Sequence, residues 1–230
     1  MEYNSGEKNL LDYDLPLQYD KRTFCEYYIS LLKTKHDLFF SFFYNDDYNS
    51  KIIKIDLFFI SFSIFYTVNA FFFDDDTMHK IYKSEGSFNL EYQLPKIIYF
   101  SFISMFLNSI LELLALSNKG ISELKQNKSK EEINNKKKEL ENKLKIKFIL
   151  YFIISFVFLL FFWYYISIFG AIFKNTQFHL LKDTVISFGF SLIYPFGIYL
   201  LPGLLRIPSL ANTKKKRICL YQLSKILQLL

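Results

Sequence analysis

The sequence predicts an all-α integral membrane protein with four transmembrane helices and further amphipathic or basic helical segments in the cytosol. The chain has 230 residues, 51% of them hydrophobic, and these form long blocks rather than the stripes of amphipathic helices. Four blocks approach the length of about 20 residues with which a helix crosses the bilayer core. Basic residues gather between alternate blocks, as the topology of a membrane protein requires.

The first block covers residues 57–73 and the second covers residues 97–117. The third, residues 148–173, contains no charged residue, whereas a helix of that length in a soluble protein of this size would show a polar face. The fourth block, residues 185–205, is interrupted by prolines and glycines but keeps the apolar character of a span. Each block is therefore predicted to be one transmembrane helix.

The charge of the connecting segments predicts the orientation. Residues 119–147 carry ten Lys against five Glu, and basic residues also precede the first block and follow the fourth. The loops 74–96 and 174–184 are poor in positive charge by comparison. Because Lys and Arg collect on the cytosolic side of a membrane protein, both termini are predicted to be cytosolic.

This topology divides the chain into five segments. They are a cytosolic N-terminal segment with an interfacial helix (1–50), the first two spans with their outer loop (51–118), a basic cytosolic helical loop (119–147), the last two spans with a short outer loop (148–205) and a polybasic cytosolic tail (206–230). The first residues are acidic and polar and do not resemble a signal peptide. Insertion is therefore expected to depend on the first internal span.

Residues 23–43 contain many apolar residues, but Glu26 and the charged stretch 33–37 argue against a fifth span. A charge at the bilayer centre costs about 2.5–3.5 kcal/mol on insertion scales. Thr23 and Glu26 have the spacing of a capping box, and apolar residues follow at helical spacing. These observations favour an amphipathic helix on the cytosolic membrane face. A helix packed on the protein's own cytosolic loop is the alternative.

The basic loop and the tail are both expected to contain helices. Ser129 and Glu132 match a capping box in the loop, and the simplest interpretation is a solvated extension of the third span. In the tail, the basic cluster 214–217 precedes leucines at helical spacing. Such a pattern predicts docking on anionic lipids of the cytosolic leaflet. Cys219, beside the cluster, is a candidate for palmitoylation.

Polar residues inside the spans are the candidates for function, because burying them in hydrocarbon is costly unless they are paired. Glu112 and Asn108 lie one turn apart in the second span, Asp56 lies at the start of the first span directly before its apolar block, and Asn69 lies within that block. One interpretation is a proton or cation relay that faces a polar cavity. The other is snorkelling to the interface, or a structural bond to Asn69, Ser or Tyr on a neighbouring span.

Pro195 and Gly197 are further candidates for function, since they are predicted to break the fourth span near its middle. Broken helices expose backbone carbonyl groups, and transporters use such groups to bind ions. Kinked spans also occur in proteins that transport nothing, so this alternative stays open.

No catalytic motif is present: the sequence lacks HExxH, GxSxG and a Walker-type loop. Asp74, Asp75, Asp76 and His79 suggest a cation site at the outer face, although acidic runs are common on protein surfaces. The Lys-rich segments flank spans, so they do not indicate nucleic acid. We expect no enzyme activity, no metal and no cofactor.

Several stretches resemble a recurrent multipass region of uncharacterised protist transmembrane proteins of the ciliate type. They are 19–36, 47–55, 77–99, 162–177 and 192–210, the last of which contains "YPFG" and "RIPSL". The resemblance covers most of residues 19–230 except the basic loop. It implies a module that anchors differing extensions, with no activity attached, and the larger extension is expected to be missing from this chain.

The sequence supports two hypotheses for the function. A multi-pass membrane anchor or assembly subunit is the leading hypothesis, because the cytosolic segments are densely charged and no catalytic set is evident. A subunit of an oligomeric ion channel or transporter is the alternative, because polar residues and a helix break occur within the spans. The expected partners are the lipid bilayer, anionic cytosolic-leaflet lipids, and either other membrane proteins or further copies of the chain.

Overall fold

A computed structural model of the chain describes residues 3–83, 90–117, 120–121, 130–174, 176–211 and 217–228. The structure is 85% helical, and the described residues contain no strand, which confirms the all-α class. The helices are α1 (Ser5–Leu10), α2 (Asp14–Tyr19), α3 (Phe24–Lys35), α4 (Asp37–Phe42), α5 (Lys51–Phe71), α6 (Asp75–Lys83), α7 (Leu90–Ala115), α8 (Lys130–Ile172), α9 (Gln177–Ile198), α10 (Leu200–Ala211) and α11 (Ile218–Leu227).

Four stretches of helix are long and apolar enough to cross a membrane, in agreement with the predicted number. They are Lys51–Phe71, Glu91–Ala115, Lys136–Ile172 and Gln177–Ala211. Each begins before the corresponding apolar block, since backbone hydrogen bonding continues a helix into polar sequence where hydropathy alone would end it. Most of the predicted short loop 174–184 is therefore helical, because α9 begins at Gln177.

The helices form two compact units. One contains Met1–Lys54 and Leu192–Leu230, and the other contains Ile55–Ser191. We call them the terminal unit and the central unit. Their boundaries fall inside α5 and α9, so they cut across the segments predicted from hydropathy.

In the terminal unit, α3 packs against α10 and α10 packs against α11. Thr23 caps α3 as predicted: its side chain accepts a hydrogen bond from the Glu26 backbone N–H, and Glu26 bonds the Thr23 backbone in return. Tyr27 and Leu31 of α3 are buried with Tyr199. This face of α3 therefore packs on the chain itself, although on α10 rather than on a loop. Docking of its exposed face on a bilayer stays a prediction.

The central unit is held by aromatic packing. Phe188 of α9 contacts Phe65 of α5 edge to face, with ring centroids 5.5 Å apart, and Phe65 also contacts Phe100 of α7. A second cluster joins Ala70, Phe73, Phe169 and Leu180. Such aromatic pairs contribute about 0.5–1.5 kcal/mol each beyond the burial of their area. Phenylalanine, which is frequent in the sequence, contributes side chains to both clusters.

Candidate functional site: buried polar groups of the helices

Asp56 and Asn108 each bond to a side chain on a neighbouring helix of the central unit. The Tyr151 hydroxyl donates to Asp56 Oδ2 at 2.6 Å. Asn108 Nδ2 donates to Ser61 Oγ at 2.7 Å. Both contacts are of the kind that the structural alternative predicts, a bond to Ser or Tyr across the bundle. They stabilise helix pairing, because a polar group in an apolar environment is costly until it is bonded.

Glu112 does not join these residues in the interior. It lies one turn after Asn108 on α7, and its side chain is exposed. An exposed carboxylate near the end of a span is the arrangement that snorkelling predicts. The structure thus brings Asn108 to Ser61 and Asp56 to Tyr151, but it does not form one site from Glu112, Asn108 and Asp56.

Asn69 belongs to a polar cluster that was not predicted from the sequence. Its Nδ2 donates to Thr184 Oγ1 at 2.7 Å and to Asp183 Oδ2 at 3.3 Å. Asp183 and Thr184 are buried in α9, whereas they were predicted to lie in or beside a loop. A usable signal was present in the sequence: Asp183, Thr184 and Ser187 have the spacing of one helix face.

Four buried serine hydroxyls of the central unit have no hydrogen-bond partner among the described residues. They are Ser101, Ser104, Ser155 and Ser187. Serine in a helix commonly bonds the carbonyl of the preceding turn, as Ser109 does with Met105 at 2.8 Å. The four buried hydroxyls therefore retain donors that could bind another group.

The predicted break at Pro195 and Gly197 is wrong in position. Helix α9 continues through both residues and ends at Ile198, and Tyr199 separates it from α10. Proline removes its own N–H, but the next turn is retained because the Tyr199 N–H donates to the Pro195 carbonyl at 2.9 Å. An added Cβ at Gly197 would meet nothing within 4 Å, so no close approach requires glycine there.

Carbonyl groups around Pro195 accept hydrogen bonds from the N-terminal segment. The Tyr28 hydroxyl donates to the Phe196 carbonyl at 2.9 Å. His36 Nε2 lies 2.8 Å from the Leu192 carbonyl, close enough for the ring N–H to donate. These two carbonyl groups are used within the terminal unit. They are therefore bonded by protein groups and not directed at an ion.

A buried ionic network connects the two ends of the chain in the terminal unit. Asp20 accepts from Arg22 Nε at 2.6 Å and from Arg206 Nη2 at 3.0 Å. Arg206 is fully buried, and its guanidinium lies 5.1 Å from the ring centre of Tyr27 and 4.8 Å from that of Tyr221. The Lys8 carbonyl accepts a further hydrogen bond from Arg206 at 2.7 Å.

In the sequence, these arginines and Lys54 are recognisable only as basic residues that favour one orientation. Lys54 is also buried, and its ammonium lies 2.9 Å from Asp47 Oδ1. Pairing across the chain cannot be deduced from charge counts. No signal in one sequence would have joined Asp20 to Arg206.

The network affects the titration of its neighbours. Burial alone would raise the pKa of Asp20, but the hydrogen bonds and charges of Arg22 and Arg206 outweigh it and lower that pKa. Burial raises the pKa of Tyr27 to about 12, despite the opposing charges of Arg206 and Arg22. Asp20 is therefore held ionised and Tyr27 neutral.

We expect the terminal unit to lose stability as the pH rises from about 10 to 12. An unfolded tyrosine ionises near pH 10, so the contribution of the neutral Tyr27 phenol is complete below that pH and is lost as the pH approaches the folded pKa. Unfolding in detergent should show this loss for the native chain and a smaller one for Tyr27→Phe. The exposed Tyr19 provides the control, and Tyr19→Phe should leave the profile unchanged. Identical profiles for Tyr27→Phe and the native chain would contradict the expectation.

Asp74, suggested as part of an outer cation site, caps a helix. Its Oδ1 accepts from the Thr77 backbone N–H at 2.9 Å and from the Thr77 hydroxyl, and Lys96 lies 3.7 Å away. In the part of the chain that the structure describes, no group of three or more His, Cys, Asp and Glu side chains could hold a metal ion.

No protein family model matches the chain, and no curated protein and no solved structure matches it either. The resemblance to the protist membrane region therefore stays a prediction.

Proposed function

We propose that this chain is a multi-pass membrane anchor or assembly subunit without catalytic activity, with both termini in the cytosol. The observation that carries the proposal is the use of polar groups within the chain. Asp56, Asn69 and Asn108 bond to neighbouring helices. Carbonyl groups near Pro195 accept from Tyr28 and His36. Polar groups that are bonded within the chain in this way stabilise a scaffold, and they are not assembled into a set of catalytic side chains.

The exposed apolar surface supports a role in the membrane. Only 17% of the most apolar stretch of α8 is buried within the chain, against 50% for α5. The exposed side chains of α8 include Phe152, Phe156 and Trp163. Lipid chains, other membrane proteins or further copies of the chain would cover this surface. The basic cytosolic segments would meet anionic lipids.

The mass and composition of the gently solubilised native complex test this function. An anchor or assembly subunit should purify with other proteins in defined stoichiometry. Recovery of a closed ring of identical chains would contradict the assembly role. Robust activity of the chain purified on its own would also overturn it.

A subunit of an oligomeric channel or transporter is the second candidate, favoured by the buried serine hydroxyls without partners. Such hydroxyls line aqueous paths through membranes. Along α5, the polar side chains Asn69 and Asp56 are separated by about 20 Å at 1.5 Å per residue. Polar groups thus occur over much of the thickness of a bilayer core, for which about 30 Å is typical.

Flux through reconstituted vesicles would separate the two candidates. If a path exists, Ser104→Ala should reduce flux severalfold, because it removes a buried hydroxyl that would contact the solute. Ser109→Ala, on the exposed side of the same helix, is the matched control. Glu112→Gln should also alter flux if Glu112 lies at the mouth of the path. Unchanged flux in a conducting preparation would remove the residue concerned from the path.

A further inference from the structure

A buried polar cluster surrounds Asp183 in the central unit. Asp183 is 7% exposed, Asn69 is 2% exposed, and Thr184 and Ser187 are fully buried. The hydrogen bond that Asp183 accepts among the described residues comes from Asn69 at 3.3 Å, beyond the usual N–H···O range of about 2.7–3.2 Å. A buried carboxylate needs stronger compensation than one long bond from a neutral amide.

The nearby positive charge is already engaged. Lys96 is the cation that acts on Asp183, but its ammonium lies 3.7 Å from Asp74 and bonds Thr77. The Ser187 hydroxyl, one turn after Asp183 on the same helix, has no partner among the described residues. Two separate observations, an underpaired carboxylate and an unused hydroxyl, therefore meet on one face of α9.

We propose that Asp183, Thr184, Ser187 and Asn69 form a binding site for a monovalent metal cation of the sodium type. The cation is held by the Asp183 carboxylate and by the hydroxyl oxygens of Thr184 and Ser187. Rotation of the Asn69 amide presents its oxygen instead of its nitrogen. Oxygen ligands suit hard cations, and a single carboxylate balances one positive charge rather than two. The positive charge of Lys96 opposes a divalent ion further.

This site is independent of the anchoring role, since a bound cation would also stabilise a scaffold. It provides Asp183 with a counter-charge in direct contact, whereas the ammonium of Lys96 is engaged with Asp74 and Thr77. A ligand that binds only the folded state raises the stability by mass action. Cation binding is therefore measurable without any transport activity.

Thermal unfolding of the purified full-length chain in detergent tests the site. Sodium chloride should raise the melting temperature in a saturable manner, compared with choline chloride at equal ionic strength. Ser187→Ala should raise the sodium concentration at half-saturation about tenfold, because a contact to a charged group is lost. Asp183→Asn should abolish the response. Asp76→Asn, in another exposed carboxylate of α6, is the control and should keep it.

Three results would overturn the proposal. One is a native chain that unfolds identically in sodium and in choline. Another is a sodium response that Ser187→Ala leaves unchanged, which remains decisive even if Asp183→Asn fails to fold. The third is stabilisation by low pH without any effect of sodium, which would show that Asp183 binds a proton and not a metal cation.

Discussion

Asp20→Asn is expected to lower the free energy of unfolding of the terminal unit by about 3–5 kcal/mol, the usual cost of breaking a buried ion pair from one side. The substitution leaves Arg206, which is fully buried, and Arg22, whose side chain is 11% exposed, without their shared carboxylate. Stacking on Tyr27 and Tyr221 would not replace it, since cation–π contacts are worth about 0.5–2 kcal/mol.

Asp12→Asn is the matched control for this prediction. Asp12 also pairs with a base of the C-terminal segment, Lys225, at 3.0 Å, but its side chain is 96% exposed. Exposed ion pairs contribute about 0–1 kcal/mol, so the control should unfold almost as the native chain does. Denaturant unfolding in detergent, monitored with a spectroscopic probe placed in the terminal unit, gives the change in the free energy of unfolding for both variants. Equal, small effects of the two substitutions would show that the Asp20 network does not hold the unit together.

A large effect would also explain why the terminal unit contains both ends of the chain. Asp20 and Lys8 lie in the N-terminal segment, and Arg206 lies in the second half of the last candidate span. The network makes the folding of each end depend on the other. An anchor that must present its two terminal segments together would require such coupling.

The sequence predicted the helices better than it predicted their contacts. Uniform apolar character is a local property, so α8 could be identified as a span from residues 148–173 alone. The pairing of Asp20 with Arg206 joins residues far apart in the chain, and neither hydropathy nor charge counting contains that information. Asp183 was placed in a loop because a window of apolar residues begins after it, although helical hydrogen bonding begins at Gln177.

For the candidate functional residues, too, the sequence predicted the kind of contact but not the partner. Bonds from Asp56 and Asn108 to neighbouring helices were among the alternatives, but their partners, Tyr151 and Ser61, could not be selected from many similar residues. The helix break was expected at Pro195, where a backbone donor is lost. The helix instead continues through Pro195 to Ile198, and the Tyr199 N–H still donates to the Pro195 carbonyl.

Gly203→Ala is expected to destabilise the terminal unit by about 1–3 kcal/mol, the usual cost of overpacking a close contact. A Cβ at position 203 would lie 2.7 Å from Cε2 and 3.1 Å from Cδ2 of Phe24. The Phe24 ring would have to move, and α3 packs against α10 at this place. The small gain of alanine over glycine in a helix, about 1 kcal/mol, would offset only part of this cost.

Gly197→Ala is the matched substitution, since Gly197 also lies in a helix of the same candidate span and an added Cβ meets nothing within 4 Å. We expect it to leave the stability unchanged or to raise it by up to about 1 kcal/mol. Thermal unfolding of the two variants side by side therefore distinguishes a glycine needed for helix packing from one that is not. If Gly197→Ala were the more damaging variant, the close approach of α3 to α10 at Gly203 would not be the constraint, and flexibility next to Pro195 would be.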